Sequence, residues 1–142
     1  EEHKHEHFEL QDTVLYDHFP EVRELLSFLD GEVHRVRLMK VTPGGGEIYR
    51  HTDQVDSDAG HSLGALARLH FPLKTNPQVL FSTWNGNDDQ ENYHFGFGEC
   101  WVLDTRKPHR VINEGTEERI HLVCDIVVTP KLEKMIADVY HI

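Results

Sequence analysis

Alternating apolar and polar residues dominate the chain after position 32 and predict a series of short β-strands. The predicted strands are Val33–Thr42, Glu47–Asp53, Ala65–Leu73, Gln78–Trp84, Tyr93–Phe95, Cys100–Asp104, His109–Asn113 and Arg119–Val128. Clusters of Gly, Asn, Asp and Pro separate these runs, as expected of turns. Many short strands at near-regular spacing predict a sandwich or a barrel.

Helical spacing appears at the two ends of this strand-rich region. Pro20 stands at a favourable first position of a helix, and Gly31 is expected to end it. Between them, the apolar residues at helical spacing are Val22, Leu25, Leu26 and Leu29. A second helix is expected at Lys131–Val139. The pattern as a whole predicts a mostly β chain with a few flanking helices.

Length and charge narrow the class of protein. The 142 residues fit one domain, 1–142, in which residues 1–12 are expected to form a loosely ordered leader. No apolar run approaches the roughly 20 residues that span a bilayer, so no membrane partner is expected. The formal charge of −11 disfavours nucleic acid, because binding to phosphates needs clustered Lys and Arg.

Only two cysteines occur, Cys100 and Cys124, and both lie in apolar, strand-like runs. Two such residues do not form a disulfide framework, and we expect both to be reduced and in or near the core. Reduced cysteines favour a cytoplasmic location. Trp84 and Trp101 are likewise expected in the core rather than at a substrate platform.

The residues with the clearest chemistry are His51 and Asp53, followed far downstream by His109. This is the spacing of the 2-His-1-carboxylate facial triad, which holds Fe(II) and leaves positions open for a co-substrate, O2 and substrate. Strand alternation is expected to place His51 and Asp53 on one face, and His109 begins a later strand. A His-x-Asp pair alone often arises by chance, so the prediction depends on the combination.

Arginines at inward strand positions extend this prediction. Arg119 lies ten residues after His109, the place where many enzymes with this triad anchor the far carboxylate of 2-oxoglutarate. Alternation puts Arg119 and His121 on one face of their strand, and Arg68 and His70 repeat the arrangement on another. An inward Arg is costly unless it is paired, so two inward Arg-x-His pairs predict an anion pocket.

Several longer motifs resemble the aspartyl/asparaginyl β-hydroxylase family, including its bacterial amino-acid and proline hydroxylase members. These motifs are Arg37–Gly44, His51–Asp53, Arg68–Leu73, Thr75–Pro77, Gly98–Asp104, Pro108-His109, Asn113 and Arg119–Asp125. They occur in family order and cover roughly residues 13–128. Each motif alone is weak, and together they are specific.

The resemblance implies a double-stranded β-helix, the cupin-like jelly roll, and Fe(II)- and 2-oxoglutarate-dependent dioxygenase activity. It implies metal ligands at His51, Asp53 and His109. It also implies that Arg119 pairs with the far carboxylate of 2-oxoglutarate and that Arg68 and His70 contact its keto-acid end. The implied reaction uses O2, hydroxylates an amino acid or an amino-acid residue in a peptide or carrier-bound substrate, and releases succinate and CO2.

Substrate contacts are expected from residues that the co-substrate does not occupy. The candidates are His94 and the loop 54–64, which carries His61 and has the polar, Gly-bearing composition of a lid. Two other functions remain open. One is a non-catalytic cupin-like protein that binds or senses an organic acid, and the other is a zinc or manganese cupin isomerase.

Overall fold

The computed structural model of the protein describes residues 18–29, 31–53, 66–136 and 140–141. In these residues lie two helices, α1 (Pro20–Ser27) and α2 (Pro130–Ile136), and nine strands. The strands are β1 (Val33–Val41), β2 (Gly46–His51), β3 (Leu66–Lys74), β4 (Val79–Trp84), β5 (Gln90–Tyr93), β6 (Trp101–Leu103), β7 (His109–Asn113), β8 (Arg119–Val127) and β9 (Tyr140–His141).

The strands form two sheets. One has the order β1-β8-β3-β6-β9 and the other the order β2-β7-β4-β5. All pairs are antiparallel except β6 with β9. Residues of both sheets pack together in one apolar cluster, so the sheets face each other as in a sandwich of the jelly-roll kind. The predicted fold class, mostly β with a few helices, is confirmed.

Two apolar clusters lie on opposite faces of the five-stranded sheet. The cluster between the sheets consists of Val41, Val79, Phe81, Phe95, Trp101, Leu103 and Val111. The cluster on the outer face joins Leu69, Cys124 and Ile126 to Leu26 of α1 and Leu132 of α2. The two helices therefore cover the outer face of β3 and β8, which leaves the inner face to build the site.

The cysteines lie where the sequence predicts. Both are free, and Cys124 is completely buried in the outer cluster while Cys100 packs against it. Burial raises the pKa of the thiol to about 11 for Cys100 and about 12 for Cys124. Both thiols are therefore protonated at neutral pH.

The predicted strand Tyr93–Phe95 is wrong, because β5 covers Gln90–Tyr93 instead. The Asn85 side chain accepts hydrogen bonds from the backbone N–H groups of Asn87 and Asp89, which closes the turn early. Pairing with β4 therefore resumes at Gln90. Because this strand is polar, the pattern of apolar residues does not predict it.

Two β-bulges change which residues face the cavity between the sheets. In β1, two residues lie opposite Cys124, and one of them, Arg35, has a φ of +50°. In β2, Tyr49 and Arg50 together lie opposite one residue of β7. In β2 the extra residue shifts the side-chain alternation by one, so His51 lines the cavity as Ile48 does. In β1 the bulge lies before Arg37, so Val33 packs on the outer face while Arg37 and Met39 line the cavity.

No helix in the described ranges is both long and apolar enough to cross a bilayer.

Leu69 tests the outer core because its side chain is fully buried on β3. Replacing it with Ala leaves a cavity, and we expect the free energy of unfolding to fall by about 2–5 kcal/mol. The matched control is Leu73→Ala on the same strand, where the side chain is 41% exposed and the change should stay within about 0.5 kcal/mol. Urea unfolding measures both, and equal losses would contradict this core assignment.

Candidate metal and anion site

His51, Asp53 and His109 come together at the adjoining ends of β2 and β7. Their ligand atoms all lie within 4.8 Å of one another. Nε2 of His51 is 3.5 Å from Oδ1 of Asp53, and Nε2 of His109 is 3.6 Å from Oδ2 of the same carboxylate. The two histidines lie opposite each other in the strand pairing, which brings both rings to one side of the carboxylate.

Both imidazole rings are oriented by backbone carbonyls. Nδ1 of His51 is 2.6 Å from the carbonyl oxygen of Tyr49, and Nδ1 of His109 is 2.9 Å from that of Lys107. A carbonyl only accepts, so each Nδ1 carries the proton. In the neutral ring, Nε2 then keeps its lone pair and faces Asp53. Burial lowers the pKa of His109, which favours this neutral form.

Asp53 reaches the group by another route than strand alternation. Strand β2 ends at His51, so the expectation that one strand face carries both ligands is replaced by a different local structure. The backbone N–H of Asp53 donates to the carbonyl of Thr105, 3.0 Å away, in the turn that precedes His109. That turn is itself held by Asp104, which binds the backbone N–H and the guanidinium of Arg106.

The three side chains open onto a cavity of about 110 Å³ between the sheets. Its polar lining consists of His51, Asp53, His109, Arg37, Arg68, His70 and Arg119, and its apolar lining of Met39, Ile48, Phe81, Leu103, Val111 and Val123. The ring of Phe81 stacks on His109 with 5.9 Å between centroids. His51 and Asp53 are about one third exposed, so the cavity is reached from their side.

Arg119 is the most buried charge in the cavity, with 1% of its surface exposed. Its Nη2 donates to Nδ1 of His121 at 2.9 Å, and its Nε has no hydrogen-bond partner in the described part of the chain. No carboxylate among the described residues lies within 4 Å of it. Burial lowers the pKa of Arg119 to about 10, so it remains charged at neutral pH.

His70 and His121 are kept neutral beside this cation. Because a guanidinium only donates, Nδ1 of His121 accepts from Arg119, and Nδ1 of His70, 3.1 Å away, must donate to it. Burial and then the charge of Arg119 lower the pKa of His121 to about 2. Burial, followed by the neighbouring His121, lowers the pKa of His70 well below its usual value. This end of the cavity therefore carries one positive charge.

Arg68 lies between two carboxylates. Its Nε and Nη2 donate to the two oxygens of Asp125 at 2.7 and 3.1 Å, and its Nη1 donates to Oδ2 of Asp53. Burial alone would lower the pKa of Arg68, but the hydrogen bond and charge of Asp125, and then the charge of Asp53, raise it. Arg68 and His70 line the same cavity, and their predicted contact with a keto acid stays a prediction.

Of the candidate substrate contacts, the structure describes His94 but not His61 or the loop 54–64. His94 is exposed, with Nδ1 3.1 Å from the carbonyl of Val79, and it does not line the cavity; its role stays a prediction. His61 and the whole loop 54–64 lie outside the described residues.

The sequence analysis assigned no role to Arg37 or Asp125. The signal that could have identified both is a charged residue at a strand position that faces inward.

Comparisons with known proteins agree with the motifs. A family model described as aspartyl/asparaginyl beta-hydroxylase matches residues 7–129, which is most of the chain. L-proline cis-4-hydroxylase from Rhizobium meliloti (strain 1021) is 28% identical over 129 residues, which cover 89% of this chain and 42% of that protein. The chain thus spans less than half the length of this relative.

The neutral buried histidines predict a loss of stability in acid. In the unfolded chain, His70, His109 and His121 bind protons below pH 6.5. In the folded protein their pKa values are lowered, so they stay neutral to a lower pH. The free energy of unfolding of metal-free protein should therefore fall as the pH drops from 6.5 to 4.5, by up to about 1.4 kcal/mol per pH unit for each ring. His121→Gln should give a shallower slope in urea unfolding, and an unchanged slope would contradict the assignment.

Proposed function

The chain belongs to the aspartyl/asparaginyl β-hydroxylase family, and on this premise we propose that it is an Fe(II)- and 2-oxoglutarate-dependent dioxygenase acting on an amino acid. When bound, Fe(II), 2-oxoglutarate and O2 supply the oxidation of an unactivated C–H bond, with release of succinate and CO2. One observation carries the proposal: a single cavity contains both the His51, Asp53 and His109 group and the buried Arg119 without an acidic partner.

The donor set fits Fe(II). Two neutral imidazole nitrogens and one carboxylate are the ligands of non-haem iron in facial sites, and neither cysteine lines the cavity to offer a thiolate. Hydrogen bonds to backbone carbonyls already orient His51 and His109, as is usual for metal-binding histidines. Asp53 accepts its hydrogen bond from Arg68 on one oxygen, which leaves the other oxygen for a metal.

Arg119 fits a carboxylate of 2-oxoglutarate. A guanidinium that is almost fully buried without a counter-ion is costly, and a carboxylate ligand would compensate it through charge-assisted hydrogen bonds. The neutral His70 and His121 add no second charge, so the pocket end matches one carboxylate. A dicarboxylic acid can thus meet Arg119 with one end while its other end lies towards the metal ligands.

Arg37 fits the substrate. It follows the bulge in β1 and lines the cavity, and its Nη1 donates to the carbonyl of Arg35 at 2.7 Å. It forms no ion pair within 4 Å with a described carboxylate. We therefore assign it to the α-carboxylate of a free amino acid, whose aliphatic part would contact the apolar lining and be shielded from water. Free L-proline is the first substrate to test, because the similar protein from Rhizobium meliloti is an L-proline cis-4-hydroxylase.

The first prediction concerns the co-substrate. With Arg119→Met, the 2-oxoglutarate concentration for half-maximal succinate release should rise about 10- to 100-fold, because a charge-assisted pair is lost. Arg110→Gln is the control, since Arg110 pairs with Glu47 at 2.5 Å and does not line the cavity. If Arg119→Met leaves the 2-oxoglutarate concentration for half-maximal succinate release unchanged, this assignment of Arg119 is wrong. Binding of 2-oxoglutarate with no succinate from any amino acid would favour an organic-acid binding protein.

The second prediction concerns the substrate. Arg37→Gln should raise KM for a free amino acid about 10-fold or more, and the wild-type enzyme should discriminate strongly against the α-carboxamide of the same amino acid. The control is Lys40→Gln, on the opposite, exposed face of β1. Product is followed by the mass gain of one oxygen atom. Equal turnover of acid and amide would instead favour a residue within a peptide or a carrier-bound substrate.

A further inference from the structure

Asp125 is a buried carboxylate of β8 that the proposed reaction does not use directly. Only 4% of its surface is exposed, and it lies in the inward-facing row of the strand. Both of its oxygens accept hydrogen bonds from Arg68, at 2.7 and 3.1 Å. A two-point contact of this kind fixes the plane of the guanidinium as well as its position.

The fixed guanidinium then holds Asp53. The third nitrogen of Arg68, Nη1, donates to Oδ2 of Asp53, whose Oδ1 lies 3.5 Å from Nε2 of His51. Asp53 follows the end of β2, and among the described residues its backbone N–H donates to the carbonyl of Thr105 while its carboxylate accepts from Arg68. The contact with Arg68 thus favours the orientation in which the carboxylate of Asp53 faces the two histidines.

The charges of these side chains are consistent with a chain of contacts from Asp125 through Arg68 to Asp53. Arg68 is one cation between two carboxylates, and a second cation, Arg35, lies 3.9 Å from Oδ2 of Asp125 but is half exposed. A buried ion pair is in general a poor source of stability compared with apolar packing. The arrangement gains instead a defined orientation of Asp53, which a metal site needs.

We propose that Asp125 is a positioning residue that acts through Arg68 to hold Asp53 in its metal-binding orientation. The inference rests on the proposed function in one respect, that a divalent metal binds at His51, Asp53 and His109. Asp125 itself neither belongs to the candidate ligand group nor lines the cavity. It determines how well the ligand set is organised before a metal arrives.

Asp125→Asn tests this, because it keeps the size of the side chain and removes its charge and one acceptor. We expect the Kd for Co(II), measured by calorimetry on metal-free protein, to rise about 10- to 100-fold. The matched control is Glu47→Gln, which breaks the ion pair with Arg110 on the outer face of the same two ligand strands. The control should leave the Kd for Co(II) unchanged.

Repeating the substitution in a protein that already carries Asp53→Asn distinguishes an effect through Asp53 from a general structural effect. If Asp125 acts through Asp53, then Asp125→Asn should add no further loss of Co(II) affinity to a protein that already carries Asp53→Asn. Equal losses in both backgrounds, or a wild-type Kd in Asp125→Asn, would overturn the inference. Circular dichroism and thermal unfolding of each metal-free variant report whether it is folded.

Arg68→Gln provides the same test if Asp125→Asn does not fold. It removes the link from the other side, and a wild-type Kd for Co(II) in this variant would also overturn the role of Asp125. Failure of the proposed function looks different, because the wild-type protein itself would then bind no divalent metal. In that case both the metal site and the positioning role are wrong.

Discussion

Strand alternation on β8 is the constraint on which the rest of the structure depends. Successive side chains of a strand point to opposite faces, so this one segment serves two environments. Its outward residues, among them Cys124 and Ile126, pack under the two helices, while Arg119, His121 and Asp125 point between the sheets. Burying the outward row anchors the strand, and this anchoring makes it possible to hold charged residues in the interior.

Of the two arginines Arg68 and Arg119 in that interior, only Arg68 has carboxylate partners among the described residues, and this difference bears on function. Arg68 is compensated by Asp53 and Asp125, so it belongs to the resting structure. Arg119 has no acidic partner among the described residues, although it is more deeply buried. A low-dielectric cavity does not retain such a cation without a cost, so we infer that the missing partner is a ligand. The same cavity holds the three side chains that could bind a metal, so one pocket could serve both groups.

The sequence predicted the strand-rich fold because alternation is a local property. It identified His51, Asp53 and His109 from their spacing, and the structure places them together. It did not predict the bulges, because whether a strand carries an extra residue depends on its partner strand rather than on its own pattern. It also missed the link from Asp125 through Arg68 to Asp53, because these contacts join residues far apart in the chain.

The most direct test of the account is an anaerobic titration of the purified protein with Fe(II) and then with 2-oxoglutarate, followed by visible absorption. If one cavity holds both, a weak absorption band of the iron–2-oxoglutarate chelate should appear in the wild-type protein and be absent from His109→Ala. A wild-type protein that binds 2-oxoglutarate but develops no such band with Fe(II) would contradict the central claim that the buried arginine and the metal ligands serve one site.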